Sequence, residues 1–412
     1  MKIRITPPER IDATIQLPAS KSISNRALII HALSKGDHPL ENLSDCDDTQ
    51  VMIRALHAQP GETIDIMAAG TAMRFLTAYL SVTPGDRIIT GTERMQQRPI
   101  EVLVNALREL GANIDYVANE GFPPLCIQGT TFTKSHITLP GNVSSQYISA
   151  LLMIGPTLKN GLKITLTGDI ISRPYINLTL QLMKDFGAKA EWLNEHELCV
   201  EPQPYSPIPF HVESDWSAAS YWYEIVALSK DATVTLPGLF KKSYQGDSSV
   251  AAFMGLLGAA TIYQDNAITL KKPILNEVSL ATYYRQDFTN QPDLAQTFVV
   301  TCALQNIPFH FSGLQSLKIK ETDRIAALIK EMRKLGYVIR EAEGSVLYWD
   351  GERCERSDEA IDTYEDHRMA MAFAPACLVL GEICINNPHV VTKSYPRYWE
   401  DLQKAGFIIK EE

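Results

Sequence analysis

The sequence predicts an α/β protein assembled from six repeated units, and three observations carry that prediction. First, five helical segments end in Leu-Gly-Ala or a close variant and enter a strand: "LVNALRELGANIDYV", "LQLMKDFGAKAEWL", "VAAFMGLLGAATIY", "LIKEMRKLGYVIREA" and "WEDLQKAGFIIKEE". Their glycines, Gly111, Gly187, Gly258, Gly336 and Gly406, are spaced by 76, 71, 78 and 70 residues. That period is too long for a solenoid repeat and long enough for a small α/β unit. Second, six polar clusters each precede a helix that is apolar nearly all round and so belongs in a core. Third, 412 residues are too many for one domain and suggest two or more.

From the N-terminus, "LPASKSISNRALIIHALS" opens the series. Ile23, Ala27 and Ile30 recur at helical spacing, while the first turn collects Ser20, Lys21, Ser22, Ser24 and Arg26. Serine there is an ordinary cap. Two cations are not, because the positive end of the helix dipole disfavours them. "VMIRALHAQPGETIDI" follows and reads as a sixth, shortened copy of the glycine-ended segment, with no glycine after Leu56. The clusters "AGTAMR", "NVSSQY", "ESDWSAA", "NQPDLAQ" and "YEDHRMA" then each introduce a buried helix. The glycine-ended helices have openings of their own: "QQRPI", "SRPYI", "IKETDRI" and "KSYPRY". Proline in three of these suits a first helical turn. The five glycines suit the left-handed position that closes a helix.

Composition excludes several classes. Hydrophobic content of 45% with 21% charged residues is that of a soluble globular protein. A net charge of −10 argues against a nucleic-acid binder, which carries a basic face. Seven cysteines without a CxxC pair fit reduced thiols in a cytoplasm. "MKIRITPPER" holds no signal core, and the longest apolar run, "MAMAFAPACLVL", is broken by Pro375 and is too short for a membrane span. The expectation is a cytoplasmic monomer that binds neither membrane nor nucleic acid.

For any single cluster, capping is the ordinary explanation. Capping does not account for Lys21, Arg26, Arg98, Lys320, Arg324, Arg368 and Lys393, seven cations at positive helix ends. Together they point to a ligand carrying several negative charges.

"LPASKSISNRALI", "AGTAMR", "QQRPIEVLVNALRELGA", "NVSSQYISALLM", "SRPYI", "IKETDRI" and "YEDHRMAMAF" closely resemble the 5-enolpyruvylshikimate-3-phosphate (EPSP) synthase family, in the family's order from Lys21 to Lys393. The resemblance implies a two-lobed, inside-out α/β fold. Each lobe has three βαβαββ units, with helices converging on the interdomain cleft. The first lobe, residues 20–212, is then inserted and lies mainly on the shikimate 3-phosphate side. Residues 1–19 and 213–412 form the second, with the catalytic carboxylates and the cations for phosphoenolpyruvate (PEP). The implied reaction moves the enolpyruvyl group of PEP to the 5-hydroxyl of shikimate 3-phosphate and releases phosphate.

Residue by residue, the resemblance assigns Lys21, Ser22, Arg26, Ser144, Ser145, Gln146, Ser172, Tyr175, Asp293, Ser316 and Lys320 to shikimate 3-phosphate. It assigns Lys21, Gly70, Arg98, Gln146, Arg324, Arg368 and Lys393 to PEP. Arginine suits the latter because its planar fork takes carboxylate and phosphate oxygens two at a time. Asp293 matches the base, Glu321 the proton donor, and Lys21 and His367 supporting groups. No cofactor or metal is implied, and no His/Cys/Asp spacing suggests a metal site. Three positions depart from the family pattern: Ala68 replaces an asparagine, Phe75 a proline, and Ser316 stands near a frequent asparagine. The rival of the same fold, UDP-N-acetylglucosamine enolpyruvyl transferase, places a reactive cysteine before its Arg-Pro. Here that loop is "GTERMQQRP", with no cysteine between Gly91 and Pro124.

Overall fold

A computed structural model describes residues 1–273 and 281–412. The chain divides into an inserted unit, Ala19–Val212, and a split unit, Met1–Pro18 with Glu213–Glu412. The inserted unit holds helices α1 (Lys21–Ser34), α2 (Asp47–Leu56), α3 (Gly70–Val82), the single turn α4 (Glu93–Gln96), α5 (Glu101–Leu110), α6 (Ser145–Ile154) and α7 (Arg173–Asp185). The split unit holds α8 (Trp216–Leu228), α9 (Val250–Gly255), α10 (Ala295–Leu304), α11 (Arg324–Lys334), α12 (His367–Phe373), α13 (Cys377–Leu380) and α14 (Tyr398–Lys404).

One sheet plan recurs. Thr63–Asp65 runs parallel to Asp86–Thr90, which pairs antiparallel with Leu125–Gln128, itself antiparallel to Asn113–Tyr116. In chain order this is βαβαββ, with α3 and α5 as its main helices. The same spatial order is built from His136–Pro140, Leu162–Thr167, Glu197–Val200 and Ala190–Trp192 around α6 and α7. Ile11–Thr14, Ala232–Pro237, Ala267–Lys271 and Ala260–Tyr263 repeat it around α8 and α9. Tyr284–Asp287, Phe309–Ser312, Val346–Trp349 and Arg340–Ala342 do so around α10 and α11.

The fifth copy is completed from afar. A parallel bridge at Ile361 starts it beside Ile383–Asn386, and strand Lys2–Thr6 lies between that strand and Ile408–Glu411. The sixth is cut down to the parallel pair Leu40–Glu41 and Phe210–His211 with α1 and α2. Helix α2 closes at His57 without a left-handed residue, and the strand beyond it, Thr63–Asp65, belongs to the next sheet. The expected copy in "VMIRALHAQPGETIDI" is therefore a helix without its own hairpin.

Burial explains the helix types. All ten residues of α10 and all seven of α12 are buried, as are Ile23, Ala27 and Ile30 of α1. Helices α1, α3 and α6 pack on one another in the inserted unit, and α8, α10 and α12 do so in the split unit. The second helix of each copy keeps one wet face. All five repeat glycines take positive φ, from 82° at Gly187 to 118° at Gly111, where a side chain would strain the backbone. The proline expectation holds once. Pro174 is the second residue of α7, but Pro99 and Pro396 precede α5 and α14. Pro99 instead turns its carbonyl to Tyr147 and Arg74, which makes it part of a braced loop. No helix among the described residues is long and apolar enough to cross a membrane.

Candidate active site

In the split unit the site grows from helix starts. Asp293 stands in the single turn that leads into α10, Arg324 is the first residue of α11, and Arg368 is the second of α12. Arg324, 2% exposed, is the hub. Its Nε lies 2.6 Å from Asp366 Oδ2, its Nη1 3.0 Å from Asp293 Oδ1, and its Nη2 3.0 Å from Glu321 Oε2. Arg368 Nη2 reaches Asp293 Oδ2 at 3.0 Å, and its Nη1 donates to Tyr221 Oη at 3.3 Å. Lys393 Nζ is 3.1 Å from Glu321 Oε1, and Lys320 Nζ is 3.4 Å from Asp293 Oδ1. His367, 2% exposed, has Nδ1 3.7 Å from Asp366 Oδ1. Ser316 lies half-buried in the turn Gln315–Ile319.

The electrostatics follow from this packing. Burial alone pushes the Asp293 carboxyl up, but Arg368, Lys320 and Arg324 outweigh it and hold it well below the ordinary carboxylate range. Burial likewise opposes the charge of Arg324, and Asp366, Glu321 and Asp293 more than restore it. Four cations (Lys320, Arg324, Arg368, Lys393) face three carboxylates (Asp293, Glu321, Asp366), so acids within the fold meet much of the charge that these helix-end cations bring.

The inserted unit supplies a second cluster. Lys21, the first residue of α1, places Nζ 3.2 Å from Asp48 Oδ2. Arg26, 2% exposed, donates through Nε to Thr179 Oγ1 at 2.7 Å, through Nη2 to Ser149 Oγ at 3.2 Å, and through Nη1 to the Ser22 carbonyl at 2.9 Å. Its guanidinium carbon lies 5.1 Å from the centroid of the Phe75 ring. Burial pulls Arg26 down to about 10, with Tyr175 acting weakly the other way. Ser144 caps α6 by accepting from Gln146 N at 3.4 Å, Ser145 is buried as its first residue, and Gln146 Nε2 donates to Thr71 Oγ1 at 3.1 Å. Ser172 sits at a φ of 54° ahead of α7, a conformation rare for serine.

Arg98 packs on the start of α3. A Cβ at Gly70 would lie 2.8 Å from Arg98 Nη1, so only glycine lets this guanidinium seat there. Its Nε is buried without a hydrogen-bond partner. Neither Arg26 nor Arg98 forms an ion pair among the described residues. Two buried guanidinium groups lacking carboxylates are costly unless a ligand brings the negative charge. Arg74 fixes the surroundings through Nη1 to the Gly70 carbonyl at 3.1 Å and Nη2 to the Pro99 carbonyl at 3.4 Å. Ala68 is exposed just before α3, whose cap position, Ala69, offers no side-chain bond.

Sequence reasoning missed the acids that orient the cations. Asp366, fully buried, caps α12 by accepting from Arg368 N at 2.9 Å while holding Arg324. Asp48 faces Lys21. Asp366 was visible inside "YEDHRMA", but Asp48 stood in an acidic run that reads as an ordinary helix start.

At the level of fold, the chain is similar to an EPSP synthase structure from Acinetobacter baumannii, with a TM-score of 0.78 at 20% identity and full coverage of both chains. It is also similar to the enolpyruvyl transferase NikO from Streptomyces tendae, with a TM-score of 0.73 at 16% identity, covering 99% of this chain and 98% of that one. The architecture is thus that of enolpyruvyl transferases. The family model for EPSP synthase (3-phosphoshikimate 1-carboxyvinyltransferase) matches residues 5–62 and 57–402. The 3-phosphoshikimate 1-carboxyvinyltransferase of Bacteroides fragilis (strain YCH46) is 66% identical over 411 residues, covering 100% of this chain and 99% of that protein. The enzyme of the same name from Aliivibrio fischeri (strain MJ11) is 35% identical, covering 98% and 99%. The chain belongs to the EPSP synthase family.

Proposed function

We propose that the chain transfers the enolpyruvyl group of PEP to the 5-hydroxyl of shikimate 3-phosphate with release of phosphate, the step of the shikimate pathway that leads toward chorismate and aromatic amino acids. The observation that carries this reading is the pair of carboxylates, Asp293 and Glu321, held on opposite arms of the buried Arg324 guanidinium. Lys21, Ser22, Arg26, Ser144, Ser145, Gln146, Ser172 and Tyr175 of the inserted unit hold shikimate 3-phosphate, with Asp293, Ser316 and Lys320 of the split unit. Lys21, Gly70, Arg98, Gln146, Arg324, Arg368 and Lys393 hold PEP.

In this scheme Asp293 accepts the proton of the 5-hydroxyl. Its cations keep it ionised and so ready, but they also make it a weak base. An incoming dianionic phosphate competes for the same cations and thereby raises its basicity. Glu321 delivers a proton to C3 of PEP as the 5-hydroxyl oxygen bonds to C2, and takes a proton back from C3 as the C2–O bond to the departing phosphate breaks; Arg324 and Lys393 hold it in place. Lys21 bridges the 5-hydroxyl and the developing negative charge, and His367 supports Glu321 or Lys393. The seven cysteines are all free thiols, which supports a reducing cytoplasmic setting; the enzyme acts there as a monomer.

Phosphate release should require both substrates and cease when either is omitted. Asp293→Asn should lower turnover about 10²–10⁴-fold while leaving binding largely intact. Release with UDP-N-acetylglucosamine in place of shikimate 3-phosphate would sink the reading, as would the lack of any release with either acceptor.

A further inference from the structure

Two successive residues just ahead of α12, Tyr364 and Glu365, both stand at a φ of 54°. Left-handed backbone is disfavoured for an ordinary L-residue, because Cβ approaches the following carbonyl oxygen. Paired outliers of this kind persist only where the surroundings over-determine them. They set the direction in which the chain enters Asp366, His367 and Arg368.

The surroundings in question converge on Glu331, a fully buried residue near the far end of α11. Its Oε1 accepts from the Tyr364 hydroxyl, and its Oε2 accepts from Asp362 N at 3.0 Å. Lys334 Nζ lies 2.8 Å from the same Oε2 and also donates to the Ala360 carbonyl at 3.0 Å and Asp362 Oδ2 at 2.9 Å. On the opposite flank Asn386 Nδ2 donates to Asp362 Oδ1 at 2.8 Å, and Asn387 Nδ2 to Glu365 Oε1 at 2.7 Å. Every bond of this set except the Glu331–Lys334 pair grips residues 360–365. Among the described residues, no hydrogen bond or ion pair of Glu331 reaches Asp293, Glu321 or Arg368.

Helix α11 is thus tied at both ends to the segment that carries Arg368. At its start Arg324 holds Asp366, which also caps α12. Two turns on, Glu331 holds Tyr364. A lever fixed at two points cannot rotate, and what it would rotate is Arg368 against Asp293.

We propose that Glu331 is a positioning residue for Arg368, acting through the hydroxyl of Tyr364 on the left-handed pair Tyr364–Glu365. This rests on the reading above that Arg368 clamps PEP. The test compares Tyr364→Phe and Glu331→Gln with the unaltered protein in steady-state kinetics, thermal unfolding and amide hydrogen exchange. The expected result is a rise of about tenfold in KM for PEP, short of the roughly hundredfold that a 1 Å misplacement can cost. KM for shikimate 3-phosphate and kcat should move less than threefold. Amide exchange should quicken at residues 366–369 without spreading through the unit. Tyr364→Phe removes one hydroxyl and carries the decision if Glu331→Gln does not fold. A folded Tyr364→Phe protein with unchanged KM for PEP overturns the proposal, as does a lowered melting midpoint with both KM values unmoved. Should the unaltered protein fail to turn over, the functional reading falls. Exchange at residues 366–369 then still decides the positioning role: unchanged rates overturn it.

Discussion

Phe75 accounts for one of the departures from the family pattern. Its ring is fully buried and lies beneath the Arg26 guanidinium, whose other partners are two hydroxyls and a carbonyl. A cation over an aromatic face gains about 0.5–2 kcal/mol as it is desolvated. Phe75→Leu keeps the site apolar and removes the ring, so KM for shikimate 3-phosphate should rise about 2- to 30-fold. KM for PEP should stay within twofold, and a proportional rise in both would point to general loosening of α3. The cations proposed to hold substrate were legible as a group in the sequence because caps do not explain lysine and arginine at helix starts. Their acidic partners were not. Asp48 and Asp366 acquire their meaning from residues 27 and 42 positions away, which no local pattern reports.

Among the elements, α11 and α12 divide the labour of placing charge. Each opens on an aspartate cap: Asp323 accepts from Ala326 N at 3.1 Å, and Asp366 from Arg368 N at 2.9 Å. Asp366 also neutralises Arg324 at zero exposure. Asp366→Asn preserves a capping oxygen and deletes the charge, so it isolates the ion pair. Breaking a buried pair from one side costs about 3–5 kcal/mol. Urea unfolding of the variant should therefore show a loss of about 3 kcal/mol at unchanged slope; a loss under about 1 kcal/mol would mean that the cap, not the charge, holds the helix. Five copies of the repeat could be read because a glycine at positive φ marks where each second helix stops. The sixth lost its hairpin and with it the mark. Strands of two to six residues leave little periodicity of their own, and their pairing partners lie far away in sequence.

Across the whole molecule, acidity is unevenly spent. The chain carries a net charge of −10, yet two of its buried carboxyl groups, Asp293 and Asp247, shift in opposite directions. Asp293 is held low and so favours the folded state above the ordinary carboxylate range, losing that benefit as pH falls. Asp247, 2% exposed and bonded to Ser217, goes the other way: burial first and then Asp293 push it up to about 6, with Arg368 in partial opposition and Asp215 adding to the rise. A raised carboxyl pKa contributes stability that is complete below the unfolded value near 4 and is lost as pH rises through about 6. Asp247→Asn removes that loss. The variant should match the unaltered protein near pH 4 and exceed it at pH 7.5, by on the order of 3 kcal/mol at most. Parallel stability curves across that range would discount the buried acid.

The strand Lys2–Thr6 sets a timetable for the growing chain. It is the middle strand of its sheet, and its two neighbours, Ile383–Asn386 and Ile408–Glu411, are synthesised long after it. On the ribosome Lys2–Thr6 must wait, unpaired, until these two distant strands emerge. Ile11–Thr14 waits less, until Ala232–Pro237 emerges. The inserted unit can meanwhile close as soon as Phe210–His211 reaches Leu40–Glu41. Nascent chains thus pass through a period with one finished body and one open sheet, and "KIRIT" is the stretch that chaperones have longest to guard.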